Sequence, residues 1–208
     1  MTTLAAPFWD QIAEKYAAKP IDDVPAYEAK LARLRDLLQS DDRVLELGCG
    51  TGGTARALAP SVREVVATDI SEAMLEIAHR RLRETDLENI TFLQRNATDV
   101  VPGAPFDVVC AFSLLHLVPD LPATLGAVHD NLAPGGTFIS KTVCLGDRSP
   151  FLRGMVHVMK WMGRAPYVNM LSRDQLLDAI GNAGFELVEA SHFGTHASSP
   201  FVVARRPA

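Results

Sequence analysis

Val44-Leu45-Glu46-Leu47 is an apolar run of strand length that passes directly into Gly48-Cys49-Gly50-Thr51-Gly52-Gly53. A strand ending in so many glycines marks a backbone that turns sharply and lets another molecule come close, since glycine enters φ > 0 freely and carries no side chain. In open α/β sheets such a place lies at the C-terminal ends of the strands, where ligands bind. The rest of the chain has to supply the sheet.

It does so by regular alternation. Apolar strand patterns fall at Arg43–Leu47, residues 64–68, Ile90–Gln94, Phe106–Phe112 and residues 137–143. Helical patterns at about residues 53–59, 72–84 and 121–132 separate them, the second opening on Ser71 as N-cap with Glu72 in its first turn. Alternating strands and helices predict right-handed crossovers and a parallel sheet covered on both faces. Two helices are expected ahead of it. Residues 7–19 place Phe8, Ile12 and Tyr16 on one stripe, and residues 25–38 do the same with Tyr27, Leu31, Leu34, Leu37 and Leu38. Ala133-Pro134-Gly135-Gly136 reads as a stop and turn.

The last third differs. Residues 148–171 hold Met155, Met159, Trp161, Met162 and Met170 and do not read as a strand. Ser172 caps a helix running through Ile180, ended by Gly181 and Gly184. Strands at residues 185–191 and Pro200–Arg205 follow, and their short connection allows only antiparallel pairing. The expected fold is α/β: a Rossmann-like seven-stranded sheet, mostly parallel with an antiparallel C-terminal strand and helices on both faces. Residues 1–40 are expected as an N-terminal helical cap and 41–208 as the ligand-binding domain, with 148–171 either a lid over a substrate or a covering helix with ordinary core contacts.

Composition narrows the function. With 208 residues, 48% hydrophobic and 22% charged, the chain can bury a sizeable core as one domain. A net charge of −5 argues against nucleic acid or anionic lipid as partner, and residues 79–83 read as a solvated helix face. No secretory signal or apolar membrane span is visible, so the cytoplasm is the default location. Cys49, Cys110 and Cys144 read as reduced thiols, and no ligand cluster points to a metal.

The glycines alone are ambiguous, because Gly48, Gly50 and Gly53 also satisfy the G-x-G-x-x-G of dinucleotide binders. Asp69, closing the second strand, can accept both hydroxyls of a ribose in either case. Glu46 tilts the choice. A pyrophosphate gains nothing from a carboxylate beside the loop, whereas a cofactor with an ammonium and a sulfonium does. The antiparallel ending also departs from a dinucleotide fold, which would continue with parallel βα units.

Residues 44–52 resemble motif I of the class I S-adenosylmethionine-dependent methyltransferases. Residues 69–75 resemble the family's second-strand acid and following helix; 106–109 with 114–120 resemble its fourth strand and loop. Residues 132–136 resemble the turn before its fifth strand, and 183–185 the entry to its sixth. The resemblance spans about residues 40–206 in order, nearest to the ubiquinone/menaquinone-biosynthesis type of small-molecule enzyme. It implies S-adenosyl-L-methionine as cofactor, with Gly48, Cys49 and Gly50 along the methionine part and Glu46 near its amino group. It further implies Asp69 on the ribose, Ile70 and Met74 on the adenine, and Phe112 and Ser113 beside the transfer region. Asn96 replaces the acid that the family often places before a small residue, here Ala97; its amide oxygen can still accept the adenine amino group. Tyr16 is the candidate for a tyrosine closing over the cofactor, with packing on the sheet as the alternative.

Methyl transfer from a sulfonium is an in-line displacement in which positioning does much of the work. No catalytic residue is therefore required by the sequence. His116 is the candidate base, against packing within an apolar turn; His157, His192 and His196 read as surface or satisfied histidines. No Asn/Asp-Pro-Pro-Tyr element follows the fourth strand, and no carboxylate cluster for a metal stands there. The expected acceptor is a small, partly apolar organic molecule. The alternatives are a non-catalytic binder of the same cofactor and a nicotinamide-dependent oxidoreductase.

Overall fold

The structure is a computed structural model, in which residues 5–147, 167–194 and 198–208 are described. Seven strands form one sheet in the order β3-β2-β1-β4-β5-β7-β6. They are β1 Arg43–Leu47, β2 Glu64–Asp69, β3 Ile90–Gln94, β4 Phe106–Phe112, β5 Leu132–Lys141, β6 Glu186–His192 and β7 Pro200–Arg205. The first five run parallel; β7 inserts between β5 and β6 and is antiparallel to both. This is the mostly parallel seven-stranded sheet that the alternation predicts. The order reverses between β1 and β4, so the ends of these two strands form the crevice where an open α/β sheet takes a ligand.

Six helices are described: α1 Ala5–Ala17, α2 Val24–Leu37, α3 Gly53–Leu58, α4 Glu72–Leu82, α5 Leu121–Asn131 and α6 Arg173–Asn182. Because side chains alternate along each strand, the sheet has two apolar faces. Leu45, Leu47, Val109 and Phe138 pack with Leu121, Leu125 and Val128 of α5 and Leu176 and Ile180 of α6. Val44, Val65, Val108 and Ile139 pack with Leu31 and Leu34 of α2, Ala55 and Leu58 of α3, and Leu75 and Ala78 of α4. Thus α2 belongs to the layer that covers the sheet. Instead, α1 lies against α4, where Ala13 meets Met74 and Ile77.

Capping follows the sequence signals. Ser71 accepts from the Met74 N–H, and Ser172 forms a full capping box with Gln175. One boundary departs from expectation. The fifth strand begins at Leu132, not at 137, because residues 133–136 are stitched to the end of β7. The Gly135 N–H donates to the Arg206 carbonyl at 3.0 Å, and the Arg206 N–H to the Gly136 carbonyl at 2.9 Å. The turn is held as an irregularity inside a strand, with Leu132 in register with Phe106.

Candidate functional site

Gly48, Gly50 and Gly52 all have positive φ, at 67°, 53° and 72°. At Gly50 the freed space faces outward: a Cβ there would meet only the Tyr16 ring, at 3.9 Å. Tyr16 is half-exposed and so stands over the loop from the end of α1. Asp69 secures the loop from below. Its Oδ2 accepts the Gly50 N–H at 2.8 Å and its Oδ1 accepts the Ser71 N–H at 2.9 Å. Each carboxylate oxygen keeps acceptor capacity beyond that one bond. Asp10 of α1 binds the Ser71 hydroxyl and the Ala73 N–H, so the N-terminal helix is fastened to the same corner.

Glu46 is 3% exposed, on the face of β1 that carries Val44. Burial pushes its carboxyl up to about 7, against the pull of nearby Lys30, the Ala55 N–H and the Thr54 hydroxyl; Asp69 adds repulsion. Its Oε2 has no hydrogen-bond partner among the described residues. A buried acceptor left open beside a glycine loop fits a ligand that brings its own donor or positive charge. S-adenosylmethionine carries such a positive group, the ammonium of its amino-acid end.

The raised value has a thermodynamic consequence. Between its unfolded value of about 4.5 and about 7, the folded protein holds a proton on Glu46 that the unfolded chain has released. This group therefore lowers stability as pH rises through that window. Urea melts at pH 5 and pH 8 should show Glu46→Gln losing less stability than the parent over the interval. Parallel pH profiles would contradict the assignment.

Other sequence candidates distribute unevenly. Ser113 is exposed, has φ 54°, and donates its N–H to the Lys141 carbonyl at 2.8 Å. Such non-glycine strain concentrates at functional sites, and it lies where β4 ends. Phe112 packs toward α2, under the Lys30 ammonium. Ile70 is partly exposed at the end of β2. Met74 is 2% exposed beneath α1, and the Cys49 side chain packs into the core. The Asn96 amide oxygen accepts the Thr98 N–H at 3.3 Å, making an Asx turn, and Ala97 packs partly against the core. His116 is pushed down to about 4 by burial, so its ring is neutral near pH 7; its Nδ1 has no partner among the described residues. His157 and His196 lie outside the described residues, and the Asn169 N–H reaches the His116 carbonyl at 2.7 Å.

Sequence reasoning missed Lys30. It is 6% exposed, and its Nζ lies over the rings of Phe112 and Tyr27. The signal was Glu46 itself, since an acid inside a buried strand calls for a nearby cation. All three cysteines are free and buried. Among the described residues, no group of three or more His, Cys, Asp or Glu side chains could hold a metal, and no helix is long and apolar enough to cross a membrane.

The chain is similar in sequence and fold to known methyltransferases and their structural neighbours. A ubiquinone biosynthesis O-methyltransferase of Ruegeria pomeroyi is 31% identical over 73% of this chain, which spans 62% of that protein's length. One from Saccharophagus degradans is 28% identical over 89% of this chain and 79% of its own. The crystal structure of the [4+2]-cyclase SpnF superposes with a TM-score of 0.76 at 18% identity, covering 97% of this chain and 94% of that one, which speaks for the fold alone. Residues 16–190 match the family described as "Methyltransferase domain". The glycine loop, the acid closing β2 and the antiparallel β7 all lie in that matched frame or beside it; the chain belongs to the methyltransferase-domain family, in its class I S-adenosylmethionine-dependent branch.

Proposed function

We propose that the protein transfers the methyl group of S-adenosylmethionine to a small, partly apolar organic acceptor. The observation that carries this reading is the joined end of β1 and β2: an outward-opening glycine loop braced by Asp69, with Glu46 buried beside it. When bound, the cofactor supplies an electrophilic methyl on a sulfonium. Asp69 holds the ribose hydroxyls, Gly48 to Gly50 line the methionine part, and Tyr16 closes over the loop to exclude water. The ends of β4 and β5 bring the acceptor into line, so that rate comes chiefly from positioning and desolvation.

The names of the curated relatives favour an aromatic hydroxyl of the quinone-precursor kind as acceptor. Residues 148–171, only the last five of which are described, serve in this reading as the acceptor-side cover. Replacing Trp161 and Met159 with alanine should raise acceptor KM about tenfold or more while leaving cofactor affinity within about twofold, as loss of buried apolar contact on one ligand alone would do. Equal loss on both ligands would remove this role.

A turnover assay with methyl-labelled S-adenosylmethionine and a panel of phenols and quinols tests the activity. Label transfer to at least one acceptor is expected. Cofactor binding without transfer to any acceptor would favour the non-catalytic binder, and NAD(P) binding without affinity for S-adenosylmethionine the oxidoreductase.

A further inference from the structure

Two lysines converge at the C-terminal edge of the sheet, on the face covered by α2. Phe112 and Lys141 are in register at the ends of β4 and β5, and their side chains share the face of Cys110 and Ile139. Lys30 reaches over Phe112 from α2, its Nζ 4.4 Å from that ring centroid and 4.8 Å from that of Tyr27, close enough to Lys141 to feel its charge. An ammonium has three donors. Among the described residues, Lys30 donates only one hydrogen bond, a long one of 3.4 Å to Thr54 Oγ1. Neither lysine lies within 4.0 Å of a carboxylate among these residues, although Glu46 is close enough to Lys30, and Asp23 to Lys141, to raise their pKa values. Desolvation works the other way and dominates at both, lowering both values.

Glu46 and the two ring faces compensate the buried Lys30 ammonium only in part, so donors remain for an anionic ligand. The strand order says which ligand could take them. Asp69 ends β2, the glycine loop follows β1, and the lysines flank the ends of β4 and β5. At ~4.8 Å per strand, β5 lies roughly 14 Å from β2. The cofactor's adenosine belongs at the β2 end, so the lysines stand on the acceptor side of the loop.

We propose that Lys30 and Lys141 dock an anionic oxygen of the methyl acceptor, a carboxylate or an ionised hydroxyl on an otherwise apolar ring. The inference rests on the methyltransferase reading and adds to it the charge of the acceptor. It makes Lys30 and Lys141 specificity residues, with no proton or bond of their own to move.

Calorimetry at pH 8, with S-adenosylhomocysteine saturating, tests it using three probes: para-methoxybenzoate, para-nitrophenolate and neutral para-nitroanisole. At least one anion should bind about tenfold or more tightly than the neutral ring, as charge-assisted hydrogen bonds would give. Preference for the benzoate or for the phenolate identifies which oxygen docks. Lys141→Met and Lys30→Met should each abolish the preference, and Lys141→Arg should retain it, with S-adenosylhomocysteine affinity within about twofold of the parent in both Lys141 variants. Lys141→Met decides the matter alone if the buried Lys30→Met fails to fold. No anion preference in the parent, or preference surviving Lys141→Met, overturns the proposal. So does loss of S-adenosylhomocysteine affinity in the Lys141 variants, which would give that ammonium to the cofactor. Anion preference with no S-adenosylhomocysteine binding by the parent would overturn the methyltransferase reading and leave the lysine pair standing.

Discussion

Asp69→Ala should weaken S-adenosylmethionine binding by about 1–3 kcal/mol, roughly 5- to 150-fold in Kd, with the fold retained. The carboxylate has two tasks. It accepts the Gly50 and Ser71 N–H groups at 2.8 and 2.9 Å, which sets the loop, and its remaining lone pairs face the ribose in the proposed complex. Removing it costs the hydroxyl contacts and loosens the loop together. Asp69→Asn separates the two tasks. One amide oxygen can still accept a backbone N–H, whereas the charge-assisted contacts to hydroxyls are lost. Isothermal titration should place Asn between aspartate and alanine. An unchanged Kd in both variants would count directly against the ribose assignment.

Gly52→Ala should lower folding stability by about 2–4 kcal/mol, the sum of a left-handed alanine and an overfilled contact. Gly52 caps α3 at φ 72° and ψ 21°. A Cβ there would stand 2.7 Å from Phe92 Cζ and 3.1 Å from Ala78 Cβ, between β3 and α4. Phe92 is buried and touches the His79 ring edge-on, so it has little room to yield. Gly126→Ala is the matched control. It sits within α5 with nothing within 4 Å of the new methyl, and should be neutral or mildly stabilising. Urea midpoints of the two variants should move apart; a Gly52→Ala midpoint equal to the parent's would show the loop to be more adaptable than its geometry implies.

These two residues also show how far the sequence could be read. Gly52 and Asp69 announce themselves, because a strand that runs into glycines and an acid closing the next strand are local patterns of a ligand-binding loop, although the glycines alone fit two kinds of cofactor. The caps at Ser71 and Ser172 are equally local, resting on a side chain and an N–H three residues on. What stayed hidden depends on distant partners. The early start of β5 arises from hydrogen bonds to Arg206, some seventy residues away in the chain, as the Gly135 and Gly136 contacts show. The resemblance puts Met74 on the adenine, yet the docking of α1 makes it core beside Ala13. Lys30 is not among the stripe residues Tyr27, Leu31, Leu34, Leu37 and Leu38 of its helix. Only the packing of α2 onto the sheet carries it over Phe112, next to the acid in β1.

In the proposed complex a single cofactor lies across the ends of β2, β1 and β4. A crystal structure of the protein grown with S-adenosylhomocysteine tests this most directly. The prediction is ribose density within hydrogen-bond distance of Asp69, the amino-acid end along Gly48 to Gly50 with its amino group toward Glu46, and the sulfur pointing toward Phe112 and Ser113. Adenosyl density elsewhere, or the opposite orientation with the amino-acid end at Asp69, would contradict it.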